Sequence, residues 1–255
     1  MAFLIIGGVL LVAAVIAVAF AVHTKRRWHA MVGTETSTVA QLAGDLATVH
    51  QLGGATFNRV CEVSGPVEAG PDGELRSELA KLPCVWYRYE VRRRYWHTST
   101  DSEGRTTRSQ RTESVAELAS AQPFRLADGT GSVLVRPDGL AIDRAERVVD
   151  RFEPDQTTES VSFLGIQLNT RSDTIGYEHE EWIVRPGTRL YVLGEATGHG
   201  GDLTIGKPAQ GVHIISTRSE DQLRGSAQRT QRILMWSGLA AAVIGVTLLV
   251  LAAVR

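Results

Sequence analysis

Few residues in this 255-residue chain have the types and spacing that chemistry requires. The stretch GDLTIGK, Gly201 to Lys207, follows the first seven positions of a phosphate-cradling loop. Such a loop continues with a Ser or Thr that holds magnesium, and then opens a helix whose amides face the phosphate. Here Pro208 comes next, followed by the strand-like AQGVHIIST, so the stretch reads as a Gly-rich hairpin. Cys61 and Cys84 are the only thiols. Two cysteines cannot by themselves fill a structural zinc site, which takes four Cys or His ligands, and the seven histidines are scattered. His179 stands among Glu178, Glu180 and Glu181, carboxylates that could tune an imidazole or attract a metal. A dedicated site would need ligands from other strands, and the stretch fits a solvated strand edge better. There is no GxSxG nucleophile elbow. No catalytic residue, metal or cofactor is therefore assigned. A hydrolase or transferase built around His179, His213 or Cys84 is kept as the alternative, to be favoured by a deep polar pocket joining one of them to a carboxylate.

The sharpest stretch is CVWYRYEVRRRYW, residues 84–96, with five aromatic rings and four arginines. That mixture suits a nucleic-acid surface. A strand's period of two divides it differently. Val85, Tyr87, Tyr89, Val91, Arg93 and Tyr95 form a largely apolar face for a core. On the other face, beside Glu90, stand Trp86, Arg88, Arg92, Arg94 and Trp96. These five are the candidate interaction face, where arginine can lie over Trp or pair with acids on neighbouring strands. The charge elsewhere excludes nucleic acid as a partner. All 28 acidic residues and all but one of the 27 basic ones lie between the two apolar ends, so this region carries no basic excess. Anionic headgroups near a membrane, or an unidentified protein, are the partners this face would suit.

The elements that must position these residues begin with two apolar runs. FLIIGGVLLVAAVIAVAFAV (3–22) and ILMWSGLAAAVIGVTLLVLAAV (233–254) carry no charge. At about 1.5 Å per residue, each reaches across a hydrocarbon core of about 30 Å. They predict a two-span protein of the cell membrane, with the lipid bilayer as a partner. No Lys or Arg precedes the first run, which is read as an uncleaved anchor rather than a signal peptide. Lys25, Arg26 and Arg27 follow it, and Arg224, Arg229 and Arg232 precede the second, so the central domain is expected in the cytoplasm. Both cysteines fit that placement as reduced thiols.

Residues 36–54 predict a helix capped at Thr36, Ser37 or Thr38, with Val39, Leu42, Leu46 and Val49 on one face and Gly53-Gly54 at its end. From Phe57 the pattern is of short strands, at 57–64, 84–97, 112–118, 123–127, 132–136, 161–168, 179–184, 189–195 and 212–217, separated by Gly, Pro and Asp turns. The fold class is mainly β, an antiparallel domain spanning 57–218 with some helix, between two transmembrane helices. Residues 98–111 contain no apolar side chain and predict a mobile loop. The charged stretch 143–160 predicts helix or coil, and 219–232 a helix leading into the second span.

The order of motifs VCEVSGPVEA, CVWYRYEV, PFRLADGTGSVLVRPDG, RPGTRLYVLGEA and VHIISTRSEDQL resembles the GIDE/MULAN family. Its eukaryotic members are membrane ubiquitin ligases of mitochondria and chloroplasts, with a β-rich domain between two spans and a C-terminal RING. The resemblance implies a GIDE-type β domain. The RING would follow the second span with eight Cys/His zinc ligands, and no position here matches one. The expectation is a bacterial-type relative without a RING, an interaction or regulatory module rather than a ubiquitin transferase, unless it acts with a RING-bearing partner.

Overall fold

The computed structural model describes residues 36–54, 56–155, 161–163, 166–168, 173–199, 202–219, 222–223, 225, 229, 233, 235–240 and 243–247. The first predicted span lies outside them and the second lies partly so. Residues 235–240 and 243–247 are helical. Among the described residues, no helix is long and apolar enough to cross a membrane.

Helix α1 spans Val39–Gln51. Thr38, in extended conformation, accepts the Gln41 N–H on its hydroxyl, and the Gln41 side chain accepts the Thr38 N–H, a reciprocal capping box. Gly53, at φ 80°, follows its end. Val39, Leu42 and Leu46 are buried, as the spacing predicts, and Val49 packs beside them.

The strands follow in chain order as β1 (Phe57–Glu68), β2 (Leu75–Arg76), β3 (Pro83–Cys84), β4 (Trp86–Thr100), β5 (Thr106–Ala119), β6 (Phe124–Ala127), β7 (Ser132–Val135), β8 (Glu146–Pro154), β9 (Val161–Phe163), β10 (Ile166–Leu168), β11 (Thr174–Val184), β12 (Arg189–His199), β13 (Asp202–Gly206) and β14 (Ile214–Ser216). The first sheet runs β1-β6-β7-β13-β12-β14 and closes into a barrel because β1 pairs with both β12 and β6. β1 faces β12 from Phe57 to Pro66 and β6 at Val67 and Glu68. The β7–β13 pair is parallel; the other pairs of this sheet are antiparallel. The change of partner comes between Pro66 and Val67, and just before it, at Gly65, a Cβ would stand 1.9 Å from the Ala127 carbonyl oxygen, so only glycine fits. Cys61, Val63, Phe124, Leu126, Val192 and Ile205 are among the side chains filling the interior, and α1 joins the same core. Leu46 occupies the space over Gly198, and Val39 that over Gly131. The docking is fixed at the helix start, where the Val39 N–H donates to the Asp128 carboxylate (2.7 Å) and the Ala40 N–H to the Thr130 hydroxyl (3.1 Å).

The second sheet runs β5-β4-β11-β8, all antiparallel. Val85, Trp86 and Val184 at its base belong to the barrel core. β11 accompanies β4 only as far as Tyr95, and β4 and β5 continue as a two-stranded hairpin to a turn at 101–105. Residues 98–111, expected as a mobile loop, are thus mostly strand. Serines and threonines suit a strand exposed on both faces, and such a strand shows no apolar alternation to read. Within the turn, the Asp101 carboxylate accepts the N–H groups of Glu103 and Arg105, and Gly104 adopts φ 80°. The stretch at 146–154, expected as helix or coil, is strand β8, charged because it is a largely exposed sheet edge. GDLTIGK contributes β13, hairpinned to β12 as the sequence suggested, although Gly201 lies outside the described residues.

Candidate interaction face

Registers decide which side chains share a face. Arg92 stands opposite Glu178, Glu90 opposite Glu180, and Arg88 opposite Trp182. The even positions of β4 and β11 therefore meet on one side of the second sheet. There Arg88 donates to Glu117 (2.7 Å) and Glu90 (3.2 Å). Arg92 pairs with Glu180 and lies within 3.5 Å of Glu178 and 3.8 Å of Glu90. Arg94 pairs with Glu178, and Arg147 of β8 reaches Glu180 at 2.9 Å. Rings complete the surface. Arg88 lies over Trp182 and Arg94 over Phe152, each 5.0 Å from the centroid, while Arg108 lies over Trp96 at 4.5 Å.

Four of the five predicted residues, Arg88, Arg92, Arg94 and Trp96, belong to this face. Trp86 does not. It is 1% exposed and packs in the barrel core, because β4 begins under the barrel before its length becomes a sheet surface. Tyr89, Val91 and Arg93 are buried on the opposite side, as the alternation requires. Buried Arg93 is held by Glu113 (2.7 Å), Asp173 (2.8 Å) and the Thr174 hydroxyl. The acidic half of the ladder, Glu178 and Glu180 with Trp182, was not predicted as part of the face. Its signal was the period-two pattern Glu-x-Glu-x-Trp, which matches Arg-x-Glu-x-Arg of β4 once the strands are paired. Since Arg88, Arg92, Arg94 and Arg147 each have a carboxylate partner, the ladder is charge-balanced and half-buried. A polyanion would have to displace those carboxylates to bind, so the arrangement suits a contact of mixed charge and exposed rings.

The alternative catalytic residues are not brought together. His179 is no solvated strand edge: it is buried on the opposite face of β11, with Nε2 3.3 Å from a Glu153 carboxylate oxygen. Burial pulls its pKa below the ordinary histidine value, against the upward pull of Glu153. Glu181 beside it is also buried and accepts the Leu79 and Ala80 N–H groups at 2.7 and 2.8 Å, pinning the turn before β3. His213 lies near Gly194, and burial lowers its pKa as well. Cys61 and Cys84 are fully buried, and burial pushes both thiols up to about 11, so neither is a poised nucleophile at neutral pH. A cavity of about 670 Å³ beside α1 is lined by Asn58, Arg125, Arg136, Thr197 and Thr204 among others; Cys84, His179 and His213 are not in its lining. Among the described residues, no group of three or more His, Cys, Asp or Glu is placed to hold a metal ion.

The sequence model of the GIDE family, described as an E3 ubiquitin ligase, matches residues 94–252, well over half of the chain. The chain belongs to the GIDE family. The match begins on the ladder itself, at Arg94, and continues past the last described residue. The E3 ubiquitin-protein ligase SPL1 of Arabidopsis thaliana is 32% identical over 132 residues, covering 50% of this GIDE-family chain and 38% of the plant protein. The chain thus spans well under half the length of that relative. No solved structure matches it.

Proposed function

We propose that this GIDE-family chain is an integral membrane protein whose β domain is an interaction or regulatory module held at the cytoplasmic surface of the bilayer. The observation that carries the membrane half is the surface of the C-terminal helical residues. Met235, Trp236, Leu239, Val243, Ile244 and Val246 are all more than half exposed, an apolar surface that water does not favour and lipid does. Polar Thr247 folds its hydroxyl back onto the Val243 carbonyl, the internal satisfaction an apolar medium demands. Support for the module half comes from the charge-balanced face of β4 and β11. It joins rings and ion pairs, and Cys84, His179 and His213 do not line the cavity beside α1.

Alkaline carbonate extraction tests the anchoring: the chain stays with the membrane pellet, and release into the supernatant would remove the membrane reading. Because both native thiols are buried, the side of the membrane is read from Ser102→Cys at the exposed hairpin turn. A membrane-impermeant maleimide labels it only after permeabilisation if the domain is cytoplasmic. For the interaction face, Arg92→Glu with Arg94→Glu abolishes capture of a partner by the full chain, and unchanged capture would exclude that face.

A second reading follows from the family description and the plant relative: the module presents substrates for ubiquitin transfer. The 255 residues hold two cysteines, both buried in strands, so on this reading the transfer chemistry lies outside these residues. Ubiquitin discharge assayed with and without the chain, in the presence of an E3-containing membrane extract, tests this reading.

A further inference from the structure

Strand β5 is an edge of the second sheet, and Thr106 to Ser114 are all exposed. A turn bounds this stretch on one side and a bulge at Val115 on the other, because Val91 pairs with Ala116 while Arg92 pairs with Ser114. Between them the strand has no proline, glycine or irregularity. The hydrogen-bond parity of the hairpin is set at its turn, where the Asp101 N–H donates to the Arg105 carbonyl (3.0 Å). With Ser99 opposite Thr107 and Tyr95 opposite Arg111, the odd residues of β5 bond inward to β4. The backbone N–H and C=O groups of Thr106, Arg108, Gln110, Thr112 and Ser114 therefore point away from the sheet. They form a row of donors and acceptors that no other described strand covers.

We propose that this edge pairs with the same edge of a second copy of the chain, antiparallel about a two-fold axis at Gln110, to make one continuous sheet across a homodimer. The stretch is self-complementary about that residue. Gln110 is the midpoint of Thr106–Ser114, so this register alone uses all five outward residues of each copy, giving ten backbone hydrogen bonds. It places Thr106 opposite Ser114, Thr107 opposite Glu113, Arg108 opposite Thr112, and Ser109 opposite Arg111 of the second copy. Each charge meets a hydroxyl and no like charges stand directly opposite. Shifting the axis to residue 108, 111 or 113 sets Arg108, Arg111 or Glu113 against itself. An axis at residue 112 confines the ladder to 110–114, because the bulge ends the regular edge. Glu113 is already held by Arg93, so pairing with a hydroxyl leaves that ion pair undisturbed. The occupant is a second copy rather than an unrelated peptide because, laid antiparallel on itself about Gln110, the stretch sets each of its three charges against a hydroxyl.

Single-cysteine scanning of the full chain from 108 to 112, with copper-phenanthroline oxidation, tests the register. Cys61 and Cys84 are fully buried and give no background. Gln110→Cys is expected to form a disulfide-linked dimer at least tenfold faster than Arg108→Cys or Thr112→Cys. A maximum at another position, equal rates along the strand, or no crosslink at all overturns the proposal. Thr112→Pro removes an outward N–H that β4 does not use, so the hairpin keeps its circular dichroism while the dimer dissociation constant rises at least tenfold. A wild-type dissociation constant in that variant would also overturn it. Should the proline variant misfold, Ser109→Arg decides by the same measurement: it sets an arginine against Arg111 of the second copy on both sides of the axis, so the dissociation constant rises about fivefold or more, and an unchanged value overturns the proposal.

Discussion

The barrel and the second sheet solve the same problem with different materials. In the barrel, strands close on one another and α1 packs onto the shared apolar core, so its stability rests on shape: Gly65 against the Ala127 carbonyl, Gly198 under Leu46, Leu42 wholly buried. In the second sheet both edges are exposed, one face is a ladder of arginines and glutamates, and a two-stranded arm projects beyond the last supporting strand. A close-packed core tolerates little change, whereas a half-solvated ion-pair ladder shares its charges among several partners and loses little when one is removed. The difference separates a scaffold from the surface it carries.

Substitutions in the barrel should break this contrast most severely. Gly65→Ala drives a Cβ into the Ala127 carbonyl and is expected to cost about 3 kcal/mol or more, with Leu42→Ala at about 2–5 kcal/mol, both measured by chemical denaturation of the purified chain. A loss below about 1 kcal/mol in both would mean the barrel is not the rigid half.

The tie between α1 and the barrel comes next. Asp128 is partly buried, which raises its pKa, but hydrogen bonds from Thr130, Val39 and Gly131 outweigh this and hold it below the ordinary carboxylate value. Asp128→Ala should lose about 1–2 kcal/mol at neutral pH. Since the folded-state value is the lower one, the wild-type contribution is present in full above about pH 4 and disappears as pH falls through the folded value. The variant and the wild type should therefore converge in acid.

Histidine titration acts on both regions and is smaller. His179 in the sheet and His213 beside the barrel both have pKa values lowered by burial. Each stabilises the fold fully above the unfolded value of about 6.5, and its contribution is lost as pH drops from there through the folded value. The thermal midpoint should fall between pH 7 and pH 5, and His213→Asn should flatten that slope; an unchanged slope would count against a buried neutral imidazole.

Smallest of all should be the ladder. Arg94→Gln removes a half-exposed ion pair and a contact with Phe152, with an expected change of about 0–1 kcal/mol. A loss as large as that of Leu42→Ala would erase the distinction between scaffold and surface.

Much of this organisation is legible in the sequence. The capping residue and apolar stripe of α1 are there, because helix caps and 3.6-residue periodicity are local properties. The alternation of CVWYRYEVRRRYW separates buried Tyr89 and Val91 from Arg88, Arg92 and Arg94. It fails at Trp86, whose burial depends on where the barrel lies, and at 98–111 and 146–154, whose polar edge strands have no apolar face to betray them. His179 looked solvated because its neighbours are glutamates, yet their even and odd members point to opposite sides of β11.

By itself, the amino-acid sequence determined the family, the mainly β character, the helix and its buried stripe, and the two apolar ends. The family follows from the order of its motifs, and the rest from composition and short-range periodicity. Only the tertiary structure decided that β1 changes partners after Pro66 to close a barrel, that Arg88, Arg92 and Arg94 find glutamates on their own and neighbouring strands, and that the outer edge of β5 is open. Those properties depend on which strands meet and in what register, a choice made by side-chain packing between residues far apart in the chain.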